Sequence, residues 1–109
     1  MSDLYEDDIV LWSEQLHAVQ SLLVQALAHM LKADAWPSSP EVPGWRAEAR
    51  RFRDDASSRF VPSMRQRTDL ARVFRRALRA MPETIDDMPP LPVPETCPVT
   101  FAELLGNEA

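Results

Sequence analysis

The sequence predicts an all-α protein: a small helical bundle of three main helices with a proline-rich C-terminal strap and a short terminal helix. Apolar residues recur at steps of three and four over long runs, as they do on one face of an α-helix. The ten prolines cluster in two stretches and leave these runs uninterrupted. No alternating strand pattern of useful length occurs in the sequence. At 109 residues, the chain is expected to form a single domain.

The first predicted helix runs from about residue 3 to about residue 32. Acidic residues at its start suit the positive end of a helix dipole. A helix of about 30 residues would reach about 45 Å, which is longer than the two later helices can cover. Either it bends near Ser21, or its first half packs against another chain. Its apolar positions form a heptad pattern, namely Ile9, Trp12, Leu16, Val19, Leu23, Ala26 and Met30.

That pattern favours self-association through the first helix. We expect a homodimer whose interface includes Trp12, Leu16, Val19 and Leu23. A chain this short buries a modest core, and association with a second copy is a common way to add buried surface.

Prolines and caps set the bounds of the other elements. A loop is predicted over residues 34–43, a second helix over 44–60, a third over 63–80 and an irregular strap over 82–99. Ser63 with Gln66 matches a capping box at the start of the third helix. Thr100 with Glu103 matches another, which would open a terminal helix over 100–105 that Gly106 closes.

The charges are segregated along the chain, although the net charge is only −5. Residues 46–79 hold eleven arginines against four acids, a balance of +7, and the remainder holds one lysine against thirteen acids. Helical spacing places the arginines most suited to binding on two faces: Arg46, Arg50 and Arg53 on one, and Arg72, Arg75, Arg76 and Arg79 on the other.

Three interpretations of this arginine band stay open. Its side chains can pair with the acidic N-terminal helix and the strap, within or between protomers, which is the interpretation we favour. They can bind an acidic protein partner, since arginine forks recognise carboxylates and phosphates alike. They can also bind nucleic acid, which would show a steep salt dependence.

The sequence contains no pattern typical of an enzyme, a cofactor site or a metal site. His17 and His29 lie twelve residues apart, which does not match the close spacing of metal ligands on one helix. His29 is expected to bond a backbone carbonyl at the rim of the core. Cys97 has no second cysteine to pair with. The acidic N-terminus and the lack of a long apolar run predict a cytoplasmic protein that does not bind a membrane.

The order of several motifs resembles a bacterial helical family known as domain of unknown function twenty-nine. The resemblance rests on an acidic start with a tyrosine and a tryptophan, a leucine-rich stretch ending in His-x-Leu-Lys, a tryptophan that begins an arginine-rich helix, and a Cys-Pro motif before a short helix. In this chain these are residues 3–8 with Trp12, residues 27–32, residues 45–53 and residues 97–105.

Two departures from the family pattern affect what the resemblance implies. Residues 15–21 stand where the family has an additional acidic helical segment, and Val99 replaces an aromatic residue. The family's four-helix bundle would then need a helix from a partner. The resemblance implies no catalytic residues. The sequence as a whole predicts a non-enzymatic, self-associating interaction module of unknown process, with nucleic-acid binding through residues 46–79 as the alternative.

Overall fold

The computed structural model describes the backbone of residues 2–106 and the side chains of residues 11–106. This part of the chain is all-α, which confirms the predicted fold class. In chain order it contains α1 (Ser2–Ala35), α2 (Val42–Arg59), a 3₁₀ helix (Pro62–Arg67), α3 (Leu70–Arg79) and α4 (Phe101–Leu105). None of these helices is long and apolar enough to cross a membrane.

Helix α1 is continuous over 34 residues. At 1.5 Å per residue it is about 51 Å long, close to the 58 Å longest dimension of the protein. Helical structure continues through Ser21, so α1 does not divide into two separate helices there.

Helix α2 packs antiparallel to the second half of α1. Near its start the centre of the Trp45 ring lies 5.4 Å from the Lys32 amine. About two turns later, the centres of the Phe52 and His29 rings lie 5.4 Å apart. A proline in the first turn suits a helix start, because the amide it lacks has no helical partner there. The face toward α1 buries Trp45, Ala49 and Ala56.

The predicted third helix is in fact two elements, so the single helix over 63–80 is a wrong prediction. The 3₁₀ helix begins after Val61 without a side-chain cap, and Ser63 and Gln66 do not form the predicted capping box. Thr68 and Asp69 then leave the helical conformation. The Asp69 carboxylate accepts hydrogen bonds from the Ala71 and Arg72 amides, so a new helix starts there.

The strap runs along the bundle without regular structure, as its prolines predict. The Leu91 amide donates to the Ala35 carbonyl at 2.9 Å, and the Trp36 indole donates to the Met88 carbonyl at 2.9 Å. At its end, Thr100 and Glu103 form the predicted capping box, and Gly106 closes α4 in the left-handed conformation with φ of 75°.

One core joins all the helices. Leu23 and Leu27 from α1 are buried together with Met64, Phe74 and Leu104. The heptad residues that the sequence assigned to a dimer interface belong to this same core: Val19 and Leu23 are fully buried, and Leu16 is 9% exposed. Trp12 is half-buried against them. The assignment of Leu16, Val19 and Leu23 as interface residues is therefore corrected, because their side chains are covered by their own chain.

Candidate functional site

Three of the five arginines of α2 share a face, namely Arg46, Arg50 and Arg53, and two of these three have partners within the chain. The Arg53 guanidinium donates to the Leu104 carbonyl at 2.9 Å and to the Glu103 carbonyl at 2.5 Å. Arg46 lies 3.7 Å from the Asp34 carboxylate, and both side chains are exposed. Arg50 is exposed beside them. With Met30 and Ala49, these three arginines line a shallow groove of about 180 Å³.

The four arginines of α3 form a separate surface, which we call the arginine surface and define as Arg72, Arg75, Arg76 and Arg79. All four are exposed. At 100° per residue they cover a stripe about 100° wide, on the side of α3 opposite the buried Val73, Phe74 and Ala77. None of the four makes an ion pair with an acid whose side chain the structure describes.

The internal pairing favoured by the sequence is sparse among residues 11–106. Besides Arg46 with Asp34, that range contains one further ion pair, Arg51 with Glu48 at 2.6 Å. The acids of the strap are exposed and none of them pairs with an arginine: Glu83, Asp86, Asp87 and Glu95. The segregation of charge along the sequence therefore persists on this part of the folded surface.

A cleft of about 290 Å³ lies between α1 and the start of α3, and we call it the α1–α3 cleft. Its lining is rich in groups that donate hydrogen bonds to anions and contains a single apolar residue. It consists of His17, Gln20, Arg67, Asp69, Arg72, Val73 and Arg76.

The walls of the cleft are held together by hydrogen bonds. The Gln20 amide donates to the Arg67 carbonyl at 3.2 Å and to the Thr68 hydroxyl at 3.5 Å. The Asp69 carboxylate accepts from the backbone amides of Ala71 and Arg72 at 3.0 and 3.4 Å. Because Asp69 is bound to the backbone of α3, the cleft's one carboxylate forms no ion pair with the guanidiniums beside it.

Sequence reasoning identified the arginines of α3 but missed their neighbours in the cleft. His17 and Gln20 lie on α1, some fifty residues earlier in the chain, and no local pattern links them to Arg67, Arg72 or Arg76. Their spacing of three residues does place them on one face of a helix, which was the only available signal.

The remaining candidate groups have structural roles. His29 Nδ1 lies 2.8 Å from the Gln25 carbonyl, which matches the backbone bond predicted for this histidine. The Cys97 thiol is half-buried and donates to the Val99 carbonyl at 3.4 Å. No group of three or more histidines, cysteines and acids that could hold a metal occurs in the described range.

Comparison with known proteins identifies the family of this chain. The model of the family described as "Domain of unknown function DUF29" matches residues 11–108, which is nearly the whole chain. Among the curated proteins and among the solved structures, nothing matches this chain.

Proposed function

The chain belongs to the DUF29 family, and we propose that it is a non-enzymatic interaction module that self-associates through charge. In this proposal the arginine surface of one copy binds the acidic first turns of α1 in a second copy. The observation that carries it is the continuity of α1 over 34 residues. The unpaired Cys97 fits a reducing compartment such as the bacterial cytoplasm.

The continuous backbone of α1 holds the acidic residues of its first turns away from the arginines of α3 in the same chain. Asp8 lies nine residues before His17, which lines the cleft beside Arg72 and Arg76. That interval corresponds to about 13 Å along the helix axis, and the interval from Asp3 corresponds to about 21 Å. An arginine side chain does not span such distances.

The direction of α3 increases this separation. Gln20 on α1 bonds to Arg67 and Thr68 just before α3 begins. Met81, just after α3, packs against a second buried cluster at the other end of the bundle, which consists of Ala33, Ala35, Trp36 and Trp45. Helix α3 therefore runs parallel to α1 and away from the acidic end. Arg79, the last residue of α3, is the farthest of its four arginines from those acids along this direction.

A second copy can supply the missing counter-charges to both surfaces at once. In a two-fold symmetric dimer, each copy presents the same acidic turns and the same arginine surface, so one contact occurs twice. Leu16, Val19 and Leu23, the apolar residues of α1 that the heptad pattern offered for a dimer, are buried within the chain. The proposed contact is therefore electrostatic, and we expect salt to weaken it.

Sedimentation equilibrium at low micromolar concentration and at two salt concentrations tests the proposal. We expect a dimer at low salt that dissociates to a monomer at high salt. Replacing Arg75 and Arg79 by Glu should give a monomer at low salt, and mixing this variant with one in which Asp7 and Asp8 are replaced by Arg should restore a dimer. The control is Arg59→Glu, an exposed arginine at the end of α2.

Two results would overturn this arrangement. A wild-type monomer at both salt concentrations would exclude self-association in this range. A dimer that resists salt would require an apolar contact instead of the arginine surface.

Nucleic-acid binding is the second candidate, and the exposure of all four arginines of α3 is the observation that favours it. The net charge of −5 opposes it. Fluorescence anisotropy with labelled single-stranded and duplex oligonucleotides distinguishes the two. Tight binding that falls steeply with salt and is lost when Arg72, Arg75, Arg76 and Arg79 are replaced by Glu would favour nucleic acid.

A further inference from the structure

We propose that the α1–α3 cleft binds the phosphoryl group of a small anionic ligand. Three guanidiniums, an imidazole and a side-chain amide line this one cavity. Each guanidinium presents N–H groups in a planar fork that fits two oxygens of a phosphate or carboxylate. The inference does not rest on self-association, although the cleft shares Arg72 and Arg76 with the arginine surface. His17, Gln20, Arg67 and Asp69 lie outside that surface, and the ligand is a small molecule.

The charge in the cleft fits a dianion. Arg67, Arg72 and Arg76 contribute three positive charges and Asp69 contributes one negative charge, which leaves +2 before His17 is counted. A phosphate monoester carries a charge of about −1.5 to −2 at neutral pH. Arg72 and Arg76 are also four residues apart on one helix, where like charges repel each other unless a counter-ion lies between them.

The cleft is formed before any ligand arrives, because its walls are bonded to one another. Gln20 holds the end of the 3₁₀ helix against α1 through the Arg67 carbonyl and the Thr68 hydroxyl. Asp69 fixes the first turn of α3 by accepting two backbone amides. The ligand therefore meets donors whose backbone positions are already set, which lowers the entropic cost of binding.

The groove on α2 is a weaker candidate, although it also contains three arginines. Arg53 there is bonded to the carbonyls of Glu103 and Leu104, and Arg46 lies beside Asp34. In the α1–α3 cleft none of the guanidiniums has an acidic partner among the described side chains. Its volume of about 290 Å³ is just below the range of about 300–1,000 Å³ for drug-sized ligands, which favours a phosphate with a small attached group.

An NMR titration of the whole chain tests the site with three probes: inorganic phosphate, glycerol 3-phosphate and succinate, each against sodium chloride at equal ionic strength. We expect saturable shifts of the Gln20 side-chain amide and of the Arg67, Arg72 and Arg76 Nε–H signals with one or both phosphates. Tighter binding of glycerol 3-phosphate would indicate an organic phosphate as the ligand, and tighter binding of inorganic phosphate would indicate the free ion.

Two matched double variants distinguish specific phosphate binding in the cleft from general attraction of phosphate to the positive charge of the protein. Replacing Arg72 and Arg76 by Gln should weaken phosphate binding by about tenfold or more. Replacing Arg50 and Arg59 by Gln changes the net charge equally at two exposed arginines outside the cleft and outside the arginine surface, and should leave the affinity unchanged. Thermal unfolding of each variant verifies that it is folded.

Three outcomes would overturn the proposal. They are the absence of a saturable shift with either phosphate, equal loss of affinity in both double variants, and binding of succinate as tight as that of phosphate. The proposal can fail in this way while the dimer persists, because the dimer is measured separately in phosphate-free buffer.

Discussion

The Nε–H group of Arg53 on α2 donates to the backbone carbonyl of Leu104 on α4 at 2.9 Å. A terminal nitrogen of the same guanidinium donates to the Glu103 carbonyl. The last turn of a helix leaves carbonyls without helical partners, and a cation there also interacts favourably with the helix dipole. One side chain thus satisfies the end of α4 and joins it to α2.

Replacing Arg53 by Lys should lower the free energy of unfolding by about 1.5 kcal/mol, because an amine cannot reproduce both bonds of the planar fork. Urea denaturation measures the change. Arg50→Lys is the control, since Arg50 is exposed on the same face and makes no hydrogen bond with its side chain within residues 11–106. Equal effects of the two variants would contradict the role given to Arg53.

Replacing Trp36 by Phe should loosen the strap and cost about 1–2 kcal/mol, because it removes the bond from the buried indole to the Met88 carbonyl. Limited proteolysis with mass spectrometry should show faster cleavage within residues 82–90. Trp45→Phe is the control. It removes the indole N–H of a second tryptophan in the same cluster, and no hydrogen bond from this group to the strap is described. If both variants were cleaved equally fast, the indole bond would not be what holds the strap.

The two glycines should respond to alanine with opposite signs. Gly106 has φ of 75°, so Ala there is strained although no atom lies within 4 Å of the added carbon, and we expect a loss of about 1 kcal/mol. Gly44 lies in the first turn of α2 with equally open space, so Ala should stabilise by about 0.5–1 kcal/mol. Thermal or urea unfolding measures both. A loss of stability in Gly44→Ala would contradict the expectation that alanine is favoured over glycine in the first turn of α2.

Leu23→Ala should lower the free energy of unfolding by about 2–5 kcal/mol, because the side chain is fully buried in the core. The loss should not depend on protein concentration, since the contacts are within one chain. Leu11, which is 54% exposed, provides the comparison, and Leu11→Ala should change stability little. If the stability lost in Leu23→Ala were recovered at high protein concentration, Leu23 would instead lie in a dimer interface.

Asp69→Asn tests the charge of the α1–α3 cleft without removing the cap of α3. Asparagine caps helices about as well as aspartate, so unfolding should change little. The cleft would lose its one carboxylate, and we expect phosphate to bind several-fold more tightly. Titration calorimetry of wild type and variant gives the comparison, and weaker binding in the variant would contradict the charge argument.

The sequence predicted a structural feature correctly where the residues that form it lie close together in the chain. Thr100 and Glu103 form the capping box that their spacing predicts. Ser63 and Gln66 have the same spacing and do not form one, because the chain winds as a 3₁₀ helix there and the stronger cap, Asp69, starts a helix six residues later. A four-residue pattern does not reveal which of two nearby caps prevails.

The period of an apolar pattern shows which face of a helix is buried, but it does not show which residues cover that face. The heptad pattern of α1 correctly indicated that Leu16, Val19 and Leu23 are buried, but a period does not say whether the same chain or a second one covers them. The same limit applies to the α1–α3 cleft. His17 and Arg76 line the same cleft although 59 positions separate them in the sequence, so only the structure shows that they are neighbours.

The burial of Leu104 beside Leu23 and Phe74 also bears on how the protein folds as it is synthesised. The apolar face of α1 leaves the ribosome first, yet the core is not closed until α4 has followed about 70 residues later. At about 5–20 residues per second, that face is incompletely covered for roughly 4–14 s. During this interval the nascent chain would be a substrate for chaperones that hold exposed apolar helices.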